Sequence, residues 1–97
     1  MTREDHEHFI IDKEEVPTCI KLFNRNCAAM HIVKQGFCFN TCTSEEMFYI
    51  VGEYNDGEKE MFRFVLDYNE EEEIVELTMY DDYYDEIDCE EIHFARS

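Results

Sequence analysis

The residues of this chain best suited to chemistry are cysteines and histidines in its first half. Cys27 and His31 are four residues apart, which would place them on one face of a helix, and Cys38 and Cys42 have a spacing found in structural zinc sites. On a strand, however, positions 38 and 42 would lie far apart, and a cysteine among phenylalanines is usually a small buried hydrophobic residue. We therefore predict no metal and no cofactor, with a small metal-binding domain as an alternative.

Covalent catalysis finds equally little support. A nucleophilic cysteine needs a thiolate beside a base, and Cys27, Cys89, His31 and His93 could supply parts of such a pair. No local signature frames them, and the net charge of −17 disfavours a thiolate. Nothing marks out two of the 25 acids as a catalytic pair, and the three glycines form no phosphate-binding loop. We therefore predict a protein that is not an enzyme.

The uneven distribution of charge is the most informative feature. Residues 1–16 contain six acids and two basic residues, residues 17–44 contain no acid and three basic residues, and residues 45–97 contain 19 acids and three basic residues. The net charges of these segments are −4, +3 and −16. No basic residue lies between Arg63 and Arg96. We therefore expect that local pairing does not neutralise this stretch.

A charge of −17 disfavours direct binding to nucleic acid, because that affinity depends on neutralising phosphates. It favours the reverse role, in which Asp and Glu on the solvated face of a sheet imitate phosphates and occupy the groove of a basic DNA- or RNA-binding protein. Tyrosines, which are enriched in binding hot spots, lie among these acids. The predicted contact residues are Asp81, Asp82, Tyr83, Tyr84, Asp85, Glu86 and Asp88, with long-range attraction from Glu70, Glu71, Glu72 and Glu73.

In size, charge and mixed α+β pattern the chain resembles small acidic inhibitors that mimic nucleic acid, including those of viruses and phages. That resemblance implies a non-enzymatic inhibitor or regulator of a basic protein, and it fixes no residue. One alternative is a toxin-neutralising or host-interaction protein that binds by shape through the acid-free segment 17–44. Another is an acidic surface that only keeps the domain soluble. A dimer is possible.

These residues must be held by a fold, and the composition predicts one domain over residues 1–97, with residues 1–7 flexible. The apolar share of 44% is too high for a disordered chain. No apolar run reaches the ~20 residues of a membrane span, and the N-terminus lacks a secretion signal. Five cysteines without a dense framework indicate free thiols. We therefore expect an intracellular protein, in the cytoplasm or nucleus, that is not bound to membranes.

The first half of the chain has the periodicity of a helix. Asp12 and Glu15 have the spacing of a capping box, and Pro17 suits a first turn. Apolar residues then recur every three or four positions up to Gly36, a plausible helix end, although the polar run 24–26 could break the helix. That apolar stripe consists of Ile20, Phe23, Cys27, Met30 and Val33.

The rest of the chain alternates with a period of two. We predict a short strand at 8–11 and further strands at 37–40, 47–54, 61–68 and 75–79, with a hairpin turn at 55–57 and a charged turn at 70–73. A last strand needs a bulge near Glu90 and Glu91, because the apolar positions change parity there; a short helix from Asp81 is the alternative. The predicted fold is α+β: one helix, intact or broken at 24–26, packed on an antiparallel sheet of four to five strands, mostly a meander, with its other face wet.

Overall fold

The computed structural model describes residues 11–40 and 45–92. Within these residues the chain forms a short 3-10 helix, one α-helix and five β-strands. They are the 3-10 helix Lys13–Glu15, α1 (Val16–Asn26), β1 (Met30–Asn40), β2 (Glu45–Tyr54), β3 (Lys59–Asn69), β4 (Ile74–Tyr80) and β5 (Glu86–Ile92). The flexible segment predicted at 1–7, most of the strand predicted at 8–11, Cys42 and His93 lie outside the described residues.

The helical segment begins at the predicted capping box. The backbone N–H of Asp12 donates to Glu15 Oε1 at 2.8 Å, and the side chain of Asp12 accepts hydrogen bonds from the backbone of the following turn. Pro17 then lies in the first turn of α1, where the missing N–H costs nothing. The sequence prediction for this helix start is confirmed.

The helix ends at Asn26, inside the polar run where a break was predicted. The backbone N–H of Cys27 closes the last turn on the carbonyl of Phe23 at 2.7 Å, and Asn26 Nδ2 donates to the carbonyl of Leu22 at 2.8 Å. The continuation of the helix to Gly36 is wrong, because Met30 and Val33 belong to β1. Segment 30–40 is rich in β-branched and aromatic residues, and strand pairing with β2 overrides the spacing of three.

The five strands form one antiparallel meander in the order β1-β2-β3-β4-β5, which confirms the predicted fold class. The strands predicted at 47–54, 61–68 and 75–79 are all present. The predicted turn at 55–57 is also present: Gly57 has φ 95°, and its N–H donates to the carbonyl of Tyr54. Strands β1 and β5 are the two edges of this described sheet.

The predicted last strand is present, but its bulge is at a different position. Tyr80 lies opposite Glu86 while Met79 lies opposite Asp88, so the extra residue of the bulge is Ile87 rather than Glu90 or Glu91. The segment 81–85 forms a turn, and the alternative of a helix there is wrong.

The two faces of the sheet differ in what covers them. Residues opposite each other in antiparallel strands share a face. The helix face, which includes Phe48, Phe64 and Met79, packs against Leu22 and Phe23 of α1 to form the core.

Gly52 on β2 lets α1 approach the sheet, since a Cβ there would lie 2.7 Å from Phe23 Cζ.

The face that α1 does not cover is called the open face. Its central row contains Met47, Val65 and Thr78, and all three are buried. The expectation of a wet second face is therefore only partly right: this face has an apolar centre with polar rows on both sides.

Candidate partner-binding surface

Carboxylates line the open face next to its apolar centre. The acidic row, defined as Glu45, Asp67, Glu76 and Glu91, takes one residue from each of β2, β3, β4 and β5. Asp67 lies opposite Glu76, and Glu76 lies opposite Glu91. Glu45 and Asp67 line the same hollow. Neighbouring strands are about 4.8 Å apart, so the row presents like charges at regular short steps.

The β4–β5 turn (residues 81–85) lies at the other end of these strands and is shaped by one carboxylate. Asp81 Oδ1 accepts hydrogen bonds from the backbone N–H groups of Tyr83 at 2.8 Å and Asp85 at 2.9 Å. The N–H of Tyr84 donates to the carbonyl of Asp81, and Tyr84 has a positive φ of 64°. The side chain of Asp81 therefore stabilises the conformation of the turn. Tyr83, at the tip of the turn, is 85% exposed.

Arg63 on β3 holds this turn against the sheet. Its guanidinium lies 4.7 Å from the centroid of the Tyr84 ring, and its Nη1 donates to Asp82 Oδ1 at 3.2 Å. The Tyr84 ring also lies 6.4 Å from that of Tyr80. Sequence reasoning did not select Arg63. The available signal was its position in the alternating segment 61–68, as the last Lys or Arg before a long acidic stretch.

A hollow of about 340 Å³ lies under this turn, on the open face. Its apolar floor comes from Met47 and Val65, and the remaining lining residues are Glu45, Asp67, Tyr80 and Tyr84. A second hollow of about 440 Å³ lies against the same turn, and Asp81, Asp82 and Tyr83 form part of its wall. The predicted contact stretch therefore borders two concave regions.

The charge in the first hollow is not compensated. Partial removal of water raises the pKa of Asp67, and the nearby charge of Glu86 raises it further. The pKa of Glu45 is raised by the same loss of water and by Asp67. Asp67 as a whole residue is exposed, so its raised pKa marks a partly dehydrated carboxyl at the rim of the hollow.

Tyr80 is surrounded by these acids. Burial raises the pKa of its hydroxyl, and the charges of Asp67, Glu86 and Glu45 raise it further. None of the three carboxylates forms an ion pair with a Lys or Arg of the described segments. The hollow is therefore a place where a cation would meet negative charge that has no partner of its own.

Acids on the helix face are in the opposite situation. Asp88 Oδ2 accepts hydrogen bonds from Asn26 Nδ2 at 2.9 Å and from Arg25 Nη2 at 2.8 Å, and these bonds lower the pKa of Asp88. Glu90 accepts from Lys21 Nζ at 2.7 Å and contacts Arg25 Nη1 at 3.3 Å, and the pKa of Glu90 is lowered too.

Helix α1 thus supplies cations that the sequence reading did not connect with β5. The sequence excluded only local pairing, and these pairs are not local: Asp88 and Glu90 pair with residues of α1, and Asp82 pairs with Arg63 of β3.

The predicted contact residues occupy four places. Residues 81–85 form the turn, and Glu86 lies beside Tyr80 on the open face, whereas Asp88 is on the helix face. The charged turn at 70–73 is at the far end of β4, about 20 Å away. The structure therefore brings the turn and Glu86 together with Glu45 and Asp67, which sequence reasoning missed because neither belongs to a dense acidic run.

The cysteine and histidine set does not converge. His31 lies on β1 rather than on a helix, and Cys27 follows the end of α1. In the parts of the chain that the structure describes, no three or more His, Cys, Asp or Glu residues are arranged to hold a metal ion. Cys19, Cys27, Cys38 and Cys89 have free thiols. Burial raises the pKa of Cys19 to about 12 and that of Cys27 to about 11, so both are poor nucleophiles.

Comparison with protein-family models, with curated proteins and with solved structures finds no match for this chain. None of the described helices has the length and apolar character needed to cross a membrane.

Proposed function

We propose that this chain is a non-enzymatic acidic binding protein that inhibits or regulates a basic DNA- or RNA-binding protein inside the cell by occupying its nucleic-acid site. The contact surface consists of the open-face carboxylates Glu45, Asp67 and Glu86 together with the β4–β5 turn. The observation that carries the proposal is the uncompensated charge of these three acids around Tyr80.

Charge alone would not distinguish a binding surface from a solvated one, so its distribution matters. Asp88 and Glu90 are neutralised by α1, whereas Glu45, Asp67 and Glu86 repel one another at a cost to the fold. That cost is relieved when a guanidinium or ammonium group enters the hollow. A basic protein offers such groups in its nucleic-acid groove, and long-range attraction speeds the encounter.

The turn adds contacts that charge does not provide. Tyr83 is almost fully exposed at its tip, and the Tyr84 ring is held by Arg63 beside the hollow. Rigid aromatic rings give contact area at low entropic cost, and a cation entering the hollow would meet the rings of Tyr80 and Tyr84. The surface therefore combines attraction at a distance with specific contacts at close range.

The test is a competition experiment with two charge-matched triple variants. The protein is immobilised, exposed to host extract and washed, and bound proteins are released with raised salt. Each released nucleic-acid-binding protein is then offered labelled duplex DNA or RNA in the presence of the wild-type chain, the site variant D67K/D85K/E86K or the control variant E14K/E46K/E58K. The control positions are exposed and lie outside the open-face surface.

We expect the wild type and the control to displace nucleic acid, and the site variant to be weaker by about hundredfold. Equal loss in both variants would show that net charge alone acts and would overturn the proposed surface. Failure of the wild type to displace nucleic acid from any salt-released protein would overturn the proposed function.

A second candidate is a toxin-neutralising or host-interaction protein that binds by shape through segment 17–44. The observation that favours it is the exposure of Phe37 and Phe39 on β1, within the acid-free segment. In the pull-down step of that experiment this candidate predicts a partner that binds the immobilised wild type and the immobilised site variant equally and stays bound when the salt is raised.

A further inference from the structure

The two edges of the sheet formed by residues 30–40 and 45–92 carry very different numbers of charged side chains. Strand β5 has Glu86, Asp88, Glu90 and Glu91 along its length, and such charges discourage another strand from pairing. Strand β1 has no acid. After a bulge at Val33, its residues 34–40 pair with β2 without interruption, and Lys34 is the only charged residue among them.

This part of β1 also exposes aromatic rings. Phe37 and Phe39 point to the helix face but lie beyond the cover of α1, and they are 50% and 55% exposed. The Phe37 ring packs edge-on against Phe48 at 5.1 Å, so its position is fixed. A long, acid-free edge with exposed phenylalanines is an association site by physical criteria.

We propose that two copies of this chain pair antiparallel through β1, with Phe37 of one copy opposite Phe37 of the other. This register is the one that pairs all seven residues of segment 34–40. It places Gln35 opposite Phe39 of the second copy and Lys34 opposite Asn40 of the second copy. The result is one continuous sheet of ten strands with two-fold symmetry, in which the exposed rings of both copies meet on the helix face.

The charges of Lys34 and Glu45 favour a second copy of this chain, paired in this register, as the partner of β1. Lys34 forms no ion pair with any other described residue. Asn40 lies opposite Glu45 in the β1–β2 ladder, so the register brings Lys34 into line with Glu45 of the second copy, two strands away. That separation is about 10 Å between Cα atoms, within the combined reach of an extended Lys and an extended Glu. Two-fold symmetry makes this contact twice.

The same pairing limits repulsion between two strongly acidic chains. Each copy approaches through its acid-free strand, so the carboxylates of β3, β4 and β5 are separated from the junction by at least two strands, β1 and β2. Glu45, whose pKa is raised by loss of water and by Asp67, gains a cation, whereas Asp67 and Glu86 keep the uncompensated charge of the proposed partner-binding surface. Both open faces lie on the same side of the joined sheet, so the proposed partner-binding surfaces remain accessible.

The first test is the oligomeric state of the full chain, measured by sedimentation equilibrium over a range of concentrations. We expect a monomer–dimer equilibrium that Phe39→Glu shifts to monomer, because it places a carboxylate in the joined edge. The matched control is Ile87→Glu on β5, where an apolar side chain is 38% exposed at the other edge. It should leave the dimer intact. A wild-type chain that is monomeric at every concentration, or equal effects of the two variants, would overturn the proposal.

A charge swap tests the register. Lys34→Glu should weaken dimerisation by about tenfold, since two attractions become two repulsions. Adding Glu45→Lys should restore it, and this rescue must act between copies because positions 34 and 45 of one chain are six residues out of register. A double variant no tighter than Lys34→Glu alone would rule out the Phe37 register.

Disulfide trapping gives an independent check in a Cys38→Ser background. Phe37→Cys places two thiols directly opposite, where Cα atoms are about 5 Å apart and a disulfide can close. Phe39→Cys separates the thiols by four residues along the strands, roughly 13 Å, and should not close. Equal crosslinking of the two variants would contradict the proposed register.

Discussion

Two acidic residues of the helix face have cationic and hydrogen-bonding partners, whereas three of those on the open face have none among the described residues. On the helix face, Asp88 and Glu90 receive hydrogen bonds from Lys21, Arg25 and Asn26 of α1. On the open face, Glu45, Asp67 and Glu86 surround Tyr80 with no such partner in the described segments.

This difference shows that net charge is a poor guide to where a protein can attract a cation. Among nearby residues of β5, Asp88 and Glu86 have the same charge and opposite surroundings. What decides is the face on which a side chain lies, and in a strand that changes with every residue. A one-residue bulge, such as the one at Ile87, therefore decides which acids are neutralised.

The largest expected difference in stability is between two glycine substitutions, one on each face of the sheet. Gly52→Ala adds a Cβ against the Phe23 ring and Met30 Sδ, and we expect a loss of about 1–3 kcal/mol in the free energy of unfolding. Gly36→Ala on the open face meets only the Tyr49 ring at 3.4 Å and should change stability by less than about 0.5 kcal/mol. Urea unfolding measures both, and equal losses would contradict the close approach of α1 at Gly52.

A smaller loss of stability is expected from Arg63→Gln. This variant tests whether binding depends on the position of the β4–β5 turn or only on net charge. The variant loses the contact with the Tyr84 ring and the bond to Asp82, so we expect a loss of about 0.5–1 kcal/mol and faster amide exchange in the β4–β5 turn. Binding to a salt-released basic protein should weaken although the chain becomes more negative. Lys13→Gln, at an exposed position of the 3-10 helix, is the control with the same charge change. Tighter binding by Arg63→Gln would show that charge alone determines the interaction.

The smallest effects, each below about 1 kcal/mol, concern pH and have opposite signs on the two faces. Folding raises the pKa of Asp67 above its ordinary value of 3.8, so its carboxylate destabilises the fold above the raised pKa, and this cost disappears as the pH falls below 3.8. Asp67→Asn should therefore increase stability at pH 7 and have no effect in acid.

Asp88 has the reverse dependence. Folding lowers the pKa of Asp88, so its carboxylate stabilises the fold above pH 3.8, and this contribution is lost as the pH falls through the lowered pKa. Asp88→Asn should therefore reduce stability at pH 7 and lose its effect in acid. Urea midpoints at pH 7 and at a series of decreasing pH values measure both variants. A change of the same sign in both would contradict the electrostatic difference between the faces.

Local patterns predicted most of this fold. The capping box at Asp12, the turn at Gly57 and the alternation along β3 and β4 depend only on neighbours in sequence, and all are present. The end of α1 was harder, because the spacing of Met30 and Val33 fits a helix as well as a strand. Pairing with β2, which lies later in the chain, decides between them.

The candidate surface was less predictable, since it depends on contacts between distant residues. Arg25 lies 63 positions before Asp88, and Arg63 lies 19 positions before Asp82. A count of charges along the chain cannot show such pairs. The turn at 81–85 was found because acids and tyrosines cluster there in sequence, whereas Glu45 and Asp67 come together only through the register of β2 and β3.

The backbone of Tyr84 has a conformation that favours glycine. At φ 64° a glycine would sit without steric conflict, whereas a bulky residue is disfavoured by its Cβ. Tyr84→Gly should therefore leave the path of the turn intact while removing the ring from the guanidinium beneath it. We infer that the contact between the Tyr84 ring and Arg63 compensates for the free-energy cost of the positive φ at this residue.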